Sequence, residues 1–190
     1  MVNRVSKVSP GRWLETARQV LIQEGVDRVK VDRLARRLRV TRGGFYHHFR
    51  DRADLLDRLL EMWEQKNTFL PTPLPPTTQE EAHDVLDQIN AILIDETAYD
   101  PRFDMAVRDW ARTSKKVKVA LDRVDEERIA FFDQLFRALG YEPREALIRA
   151  RVCYFHQVGY YALAIRETRE QRYQYSDLYL KIIAGELYTG

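Results

Sequence analysis

VTRGGFYHHFRDRADLL, residues 40–56, is the stretch of this chain from which its architecture can be worked out. It holds two adjacent glycines, two adjacent histidines, and arginines set among aromatic residues. Adjacent histidines suggest a metal site, adjacent glycines suggest a phosphate loop, and arginines among aromatics suggest a surface for nucleic acid. The sequence on either side of the stretch distinguishes these interpretations.

Hydrophobic residues recur at helical spacing over most of the chain. A first helix carries Trp13, Ala17, Val20 and Leu21 on one face and ends at Gly25. Thr41 is predicted to cap a short helix that reaches about His48, and Asp51 to cap the next helix, which passes through Trp63. Further helices are predicted at 31–38, 79–97, 102–113, 116–139, 144–167 and 173–188.

The segment PTPLPPTT at 71–78 has four prolines in eight residues, so no helix crosses it. No stretch alternates convincingly between apolar and polar residues as a strand would. The predicted fold is therefore all-α with about nine helices. We expect a helix-turn-helix domain at 8–55 and a second helical domain at 56–190.

Charge is distributed unevenly along the chain. Residues 1–50 contain 12 Lys/Arg against 4 Asp/Glu, a net +8, whereas the other 140 residues carry 19 against 25, a net −6. A basic head on an acidic body is typical of a domain that meets a polyanion, although a solvated basic surface would look the same.

Composition excludes several other classes of protein. The longest nearly apolar run is eight residues, at 158–165, far short of the roughly 20 that span a bilayer, and the N-terminus has no apolar core of signal-peptide length. One cysteine, Cys153, cannot form an internal disulfide framework. We expect a cytoplasmic protein that does not bind membranes.

The opening stretch then falls in the second half of a helix-turn-helix. Gly43 and Gly44 leave the first turn of the recognition helix without bulk, so that a DNA backbone can approach closely. Arg42 can reach a phosphate or a guanine, and Tyr46 offers a phenol to a phosphate. Arg52, at the start of the next helix, adds charge beside its free N–H groups.

The block at 11–60 resembles the DNA-binding head of the tetracycline-repressor (TetR) family of bacterial regulators. The resemblance is carried by Ala17 and Gly25, Leu34-Ala35, Val40-Thr41, the run Tyr46-His47-His48-Phe49, and Arg52 with Leu55. The family often has a hydroxyl residue where Lys30 and Gly44 stand, and glycine in the turn where Arg39 stands. With arginine in that turn, the backbone must be strained or adopt another geometry.

The resemblance implies a site for double-stranded DNA, with His47 facing outward and His48 packed with Phe49. The residues predicted to contact DNA are Lys30, Thr41, Arg42, Gly43, Gly44, Tyr46, His47 and Arg52. A metal site at His47-His48 fails, because adjacent helical residues point about 100° apart. A phosphate loop at Gly43-Gly44 lacks the Lys-Ser/Thr ending.

The family usually binds a small molecule in its helical body, so the resemblance implies an unknown, largely apolar ligand there. Aromatic residues are dense after residue 99, and a core role is the simpler explanation for any one of them. The predicted ligand-binding residues are Phe103, Trp110, Phe131, Phe155, His156 and Tyr160. Cys153 and His156 could share a ligand or a metal, but core packing is the preferred interpretation, and no metal or cofactor is predicted.

The helix near 144–167 is apolar on more than one face, and the last helix is also rich in apolar residues. Such helices bury one surface in their own core and another in a partner. In the family the last two helices form a four-helix dimer interface. The residues predicted for a homodimer contact are Tyr154, Val158, Tyr161, Tyr179 and Ile183.

The function expected from this resemblance is a homodimeric repressor that a ligand releases from a near-palindromic operator. No catalytic motif emerges, so we do not expect an enzyme; one built around Cys153 and His156 is the least favoured interpretation. The alternative is a helical small-molecule-binding protein without a DNA role, against which the uneven charge argues.

Overall fold

The computed structural model describes residues 8–188, and the stretches with helical periodicity in the sequence form helices there. This part contains nine α-helices, one 3-10 turn and no strand, which confirms the predicted all-α class. The helices are α1 (Pro10–Glu24), α2 (Val31–Leu38), α3 (Gly43–Tyr46), α4 (Arg52–Lys66), α5 (Gln79–Asp95), α6 (Pro101–Ala111), α7 (Lys115–Ala138), α8 (Pro143–Ala162) and α9 (Arg169–Ala184), and the 3-10 turn is Val26–Arg28. None of these helices is long and apolar enough to cross a membrane.

The first of two compact units runs up to Lys66 and includes Arg102–Lys118. α1 buries the stripe that its spacing predicted, Trp13, Ala17, Val20 and Leu21. Trp13 meets Phe45 of α3 edge-on, with 5.4 Å between ring centroids, and Phe45 stacks on Phe49 at 5.1 Å. These aromatic contacts anchor a helix that is too short to be stable alone.

The second compact unit comprises Asn67–Pro101 and the chain from Val119 onward. α5 begins after the proline-rich segment with a capping box, in which Thr78 accepts from the N–H of Glu81 and the Glu81 carboxylate accepts from the N–H of Thr78. Its core is a cluster rich in aromatic side chains, with Phe132 and Phe136 fully buried.

These units do not coincide with the predicted ranges 8–55 and 56–190, of which residues 189 and 190 lie outside the described residues. Packing explains the difference, because the second half of α4 still belongs to the first core. Leu59 and Trp63 are fully buried, and the Trp63 indole donates a 3.1 Å hydrogen bond to the buried carboxylate of Asp104 in α6. A functional division near residue 55 stays a prediction.

Three predicted helix boundaries are wrong. α8 stops at Ala162 rather than near 167, because Ala164 turns left-handed with φ 51°. α9 begins at Arg169 rather than 173, because Thr168 and Gln171 form a second capping box, and it ends before Gly185, where φ is 74°. The sequence T-R-E-Q carried the signal for this start.

Candidate nucleic-acid interface and internal cavity

The short helix α3 presents one face to its core and the other to solvent. Phe45 is fully buried, whereas Tyr46 is 59% exposed and His47 is also exposed. The His48 ring turns inward, where its Nε2 lies 2.8 Å from the Val8 carbonyl. The adjacent histidines therefore point in different directions, as predicted, and cannot share a metal.

The start of α3 differs from the prediction at Thr41. The capping position is Arg42, no side chain makes a cap hydrogen bond, and Thr41 instead accepts the N–H of Gly44 through its own carbonyl at 3.1 Å. Because Gly43 and Gly44 follow at once, the first turn has little side-chain bulk. The Thr41 side chain remains exposed beside this turn.

Gly43 and Gly44 are not required by crowding within the protein. A Cβ at Gly43 would meet only the Thr41 hydroxyl, at 3.7 Å, and one at Gly44 would meet only the Trp13 ring, at 3.9 Å. Both are ordinary van der Waals distances. Small residues here therefore keep the outer surface open to a large, closely approaching partner.

Arg42 is held by a weak contact that a phosphate could displace. Its Nε lies 3.1 Å from the Asp32 carboxylate of α2, with the two side chains 68% and 59% exposed. Exposed ion pairs of this kind contribute about 0–1 kcal/mol. Lys30, at the start of α2, is also exposed and makes no cap hydrogen bond.

Arg52 does not stand free as the phosphate ligand that the sequence predicted. Its Nε donates to the Val29 carbonyl at 2.6 Å, and its Nη2 donates to the Val26 carbonyl at 2.7 Å. The guanidinium thus ties the start of α4 to the 3-10 turn that leads into α2. We correct its role to positioning, because two of its N–H groups already serve the protein backbone.

Arg39 and Arg50 add features that the predicted site does not include. Arg39 ends α2 in the left-handed conformation with φ 56° and ψ 42°, so the turn is strained rather than rebuilt. The Arg50 side chain is 85% exposed and lies 3.9 Å from Asp54. Its position, four residues after Tyr46 at the end of the recognition segment, was the signal for a further phosphate contact.

The second unit contains a partly open cavity of about 90 Å³ between α5, α7, α8 and α9. Most of the surface of its wall is apolar, and polar groups stand among the aliphatic and aromatic side chains. The lining residues are Leu86, Ile89, Asn90, Leu93, Ile94, Phe132, Cys153, His156, Gln157, Tyr160, Glu167, Arg172, Ser176, Tyr179, Leu180 and Ile183.

Of the six residues predicted to bind a ligand, His156 and Tyr160 line this cavity and the others do not. Phe155 is 59% exposed on the outer face of α8, because it is one residue and about 100° away from His156. Phe131 is buried in the core of the second unit. Phe103 and Trp110 belong to the first unit, where they are also buried.

Burial shifts the pKa values of three side chains in the cavity wall. Desolvation raises the pKa of the Cys153 thiol to about 12 and lowers the pKa of His156, so both are neutral near pH 7. Desolvation, followed by the hydrogen bond to Glu167, raises the pKa of Tyr160 to about 12. Cys153 and His156 therefore form no thiolate–imidazolium pair.

Arg172 lines the cavity. It is not among the residues that the sequence predicted for the ligand site. Its Nη2 donates to the Leu93 carbonyl at 2.5 Å and to the Tyr161 hydroxyl at 2.9 Å, while its Nη1 donates to Glu96 at 2.8 Å. It thereby satisfies the C-terminal end of α5 from α9. Two of these partners, Leu93 and Glu96, lie more than 70 residues away, so spacing alone could not have indicated them.

A comparison with known protein families finds a match to the DNA-binding head of this chain. Residues 14–59, which run from within α1 through α2 and α3 into α4, match the family model described as bacterial regulatory proteins, tetR family. These residues therefore form a DNA-binding head of the TetR type. Its helix-turn-helix carries Arg42, Tyr46 and His47 on its exposed side.

Solved structures support the same fold over nearly the whole chain. Apo AibR is 15% identical with a TM-score of 0.58, over 92% of this chain and 97% of that one. Reduced NemR from E. coli is 17% identical with a TM-score of 0.55, over 92% and 91%. BioQ, solved with its double-stranded DNA operator, is 17% identical with a TM-score of 0.50, over 95% and 98%. The comparison with curated proteins gives no match.

The residues predicted for the dimer contact make contacts within their own chain. Tyr154 is buried and donates to Asp125 at 2.6 Å, and the Tyr161 hydroxyl donates to the Leu93 carbonyl at 3.0 Å. Val158 and Ile183 pack against the core of their own unit, and Tyr179 contacts His156 with 4.8 Å between ring centroids. All five predicted residues therefore have partners within their own chain.

Exposed apolar side chains instead follow the other stripe of α8 and one stripe of α9. On α8 they are Ile148, Val152 and Phe155, which are 50–59% exposed. On α9 they are Tyr175, Leu178 and Ile182, of which Ile182 is 68% exposed. We call these six residues the outer apolar face. Their spacing of three or four residues puts each set on one side of its helix.

Proposed function

We propose that this TetR-family regulator is a homodimeric repressor that binds a near-palindromic operator and is released from it by a small molecule. The observation that carries the proposal is the exposed side of α3. Arg42, Tyr46 and His47 stand there beside two glycines, on a helix fixed by Trp13 and Phe45. A rigid, basic and sterically open helix suits entry into a major groove.

Contacts with DNA divide by chemistry. Arg42 and His47 are proposed to contact base edges, because they lie at the start and at the end of the exposed side of α3. Lys30, Thr41, Tyr46 and the added Arg50 are proposed to contact phosphates, which position the head without reading sequence. Gly43 and Gly44 allow the approach, and Arg52 holds the start of α4 against the turn before α2.

Dimerisation is proposed to occur through the outer apolar face. Six large apolar or aromatic residues exposed on two neighbouring helices are unusual for a chain that remains monomeric. A two-fold contact would bury them and present two recognition helices to DNA. The half-sites would then be about 34–36 Å apart, one turn of the duplex. BioQ, which shares this fold, was solved on a double-stranded operator.

Ligand control is proposed to act through the cavity of the second unit. Its wall is mostly apolar in surface, with polar groups among the apolar side chains, as in small-molecule sites generally. The proposal assigns binding rather than catalysis to these residues, and places the protein in the cytoplasm with the DNA it would bind.

The test compares two exposed arginines in full-length protein, measured on DNA upstream of the chain's own gene. Arg42→Ala should weaken binding about tenfold or more, corresponding to the 1–3 kcal/mol of a good base contact. Arg112→Ala is the matched control, since Arg112 is 82% exposed and pairs weakly with Asp109 on α6. Equal effects of the two substitutions, or no binding by the wild type, would favour the alternative of a small-molecule-binding protein without a DNA role.

A further inference from the structure

An acidic side chain stands among the cations of the DNA-binding head. Asp32 lies in the first turn of α2, two residues after Lys30, and both side chains are exposed. One oxygen of its carboxylate lies 3.1 Å from Nε of Arg42, the residue at which α3 is capped. Among residues 8–188, Asp32 is the one acidic side chain that is paired with Arg42.

A carboxylate on this surface opposes DNA binding unless its charge is balanced. The duplex carries a negative charge at every phosphate, and an unpaired carboxylate close to the phosphates is repelled whatever the sequence. The ion pair with Arg42 offsets this repulsion as long as Arg42 stays beside Asp32. The two side chains therefore have to be considered together when the head meets DNA.

The pair gives Arg42 two unequal ways to meet DNA. Asp32 approaches the guanidinium most closely at Nε, so the Nη1–Nη2 edge can still form the bidentate contact that guanine accepts while Arg42 stays in place. The pair is weak enough to break when Arg42 turns to a phosphate, but this leaves Asp32 unpaired beside the DNA backbone.

We propose that Asp32 is a specificity-determining residue. It keeps Arg42 available to base edges and disfavours the contact between Arg42 and phosphate, which every DNA sequence offers equally. Asp32 therefore acts through Arg42 and needs no contact of its own with DNA. The inference rests on the proposed function, in which Arg42 contacts base edges.

The experiment measures the affinity of the full chain for two duplexes of equal length, one from upstream of its own gene and one of random sequence. Asp32→Asn keeps the size of the side chain and removes its charge. It should raise the affinity for the random duplex and lower the ratio of the two affinities. The expected fall is about two- to threefold for each head, and so about four- to ninefold for a dimer, in keeping with one exposed ion pair per head.

Asp27→Asn is the matched control, because Asp27 is an exposed acid in the 3-10 turn of the same head. It removes the same charge and should leave the ratio unchanged. In an Arg42→Ala background, Asp32→Asn should also leave the ratio unchanged, because the side chain through which Asp32 acts is absent.

Two results would overturn the inference and leave the proposed function standing. One is an unchanged ratio in Asp32→Asn, and the other is a fall of the same size in the Arg42→Ala background, which would show that Asp32 acts without Arg42. Equal affinity of the wild-type chain for the two duplexes would contradict the proposed function, and the inference with it.

Discussion

Replacing Arg52 distinguishes a residue that positions the DNA-binding head from one that contacts phosphate. Arg52→Ala removes two short hydrogen bonds, from Nε to Val29 and from Nη2 to Val26. Hydrogen bonds to charged groups contribute about 1.5–3 kcal/mol each, and water replaces part of them at a half-buried site. We expect the free energy of unfolding of the first unit to fall by about 2 kcal/mol, which is close to the contribution of one such hydrogen bond.

Tryptophan fluorescence during denaturant unfolding measures this loss selectively, because Trp13, Trp63 and Trp110 all belong to the first unit. Arg52→Lys keeps the charge but lacks the planar fork that reaches both carbonyls, so it should recover less than half of the stability. Arg50→Ala is the matched control, expected to lower DNA affinity while changing stability by less than about 0.5 kcal/mol.

A different result would refute the positioning role. If Arg52→Ala unfolded at the wild-type denaturant concentration, the two hydrogen bonds would contribute nothing measurable to the first unit. If Arg52→Lys also restored a lost DNA affinity in full, charge alone would explain the residue, as a phosphate contact would.

The other predictions use the outer apolar face, an ion pair and the buried thiol. Phe155→Asp should give a folded monomer in a sedimentation experiment, because it places a charge in the proposed dimer contact. Ile183→Asp should instead lower the melting temperature, because Ile183 packs against the core of its own unit. The reverse pattern would favour the dimer contact that the sequence predicted. The hydrogen bond from Arg33 lowers the pKa of Glu24 below its usual 4.5, so its stabilisation is complete above that pH and is lost as pH falls through the lowered value. Glu24→Gln should therefore reduce the acid sensitivity of the first unit in melts between neutral and acid pH, and an unchanged profile would count against the pair. Cys153, with its pKa near 12, should resist iodoacetamide at pH 8 until the protein is denatured, so rapid labelling of the native chain would contradict its burial.

Local patterns explain why the sequence predicted the head well. The stripe from Trp13 to Leu21 and the buried pair Leu34 and Ala35 have helical spacing, and the structure buries them as expected. Arg52 was assigned wrongly because its partners lie 23 and 26 residues earlier, where only the folded chain brings them within reach. The sequence showed that a cation stands at position 52, but it could not show in which direction the side chain points.

The second unit was harder, because α8 has apolar residues around most of its circumference. Both stripes satisfy the helical period, so periodicity could not tell Tyr154, which faces the core, from Phe155, which faces solvent. The cavity depends on contacts among α5, α8 and α9, and its polar residues Gln157 and Arg172 have no motif around them. Aromatic density pointed to a region that includes the cavity, but of the residues it suggested only His156 and Tyr160 line it.

The salt dependence of DNA binding tests the central claim most directly. The affinity of the full chain for DNA upstream of its own gene would be measured over a series of salt concentrations. If Lys30 and Arg50 of each head neutralise phosphates in a dimer, the logarithm of the affinity should fall against the logarithm of salt with a slope of about −4. A flat dependence would contradict the assignment of this basic helix-turn-helix to DNA.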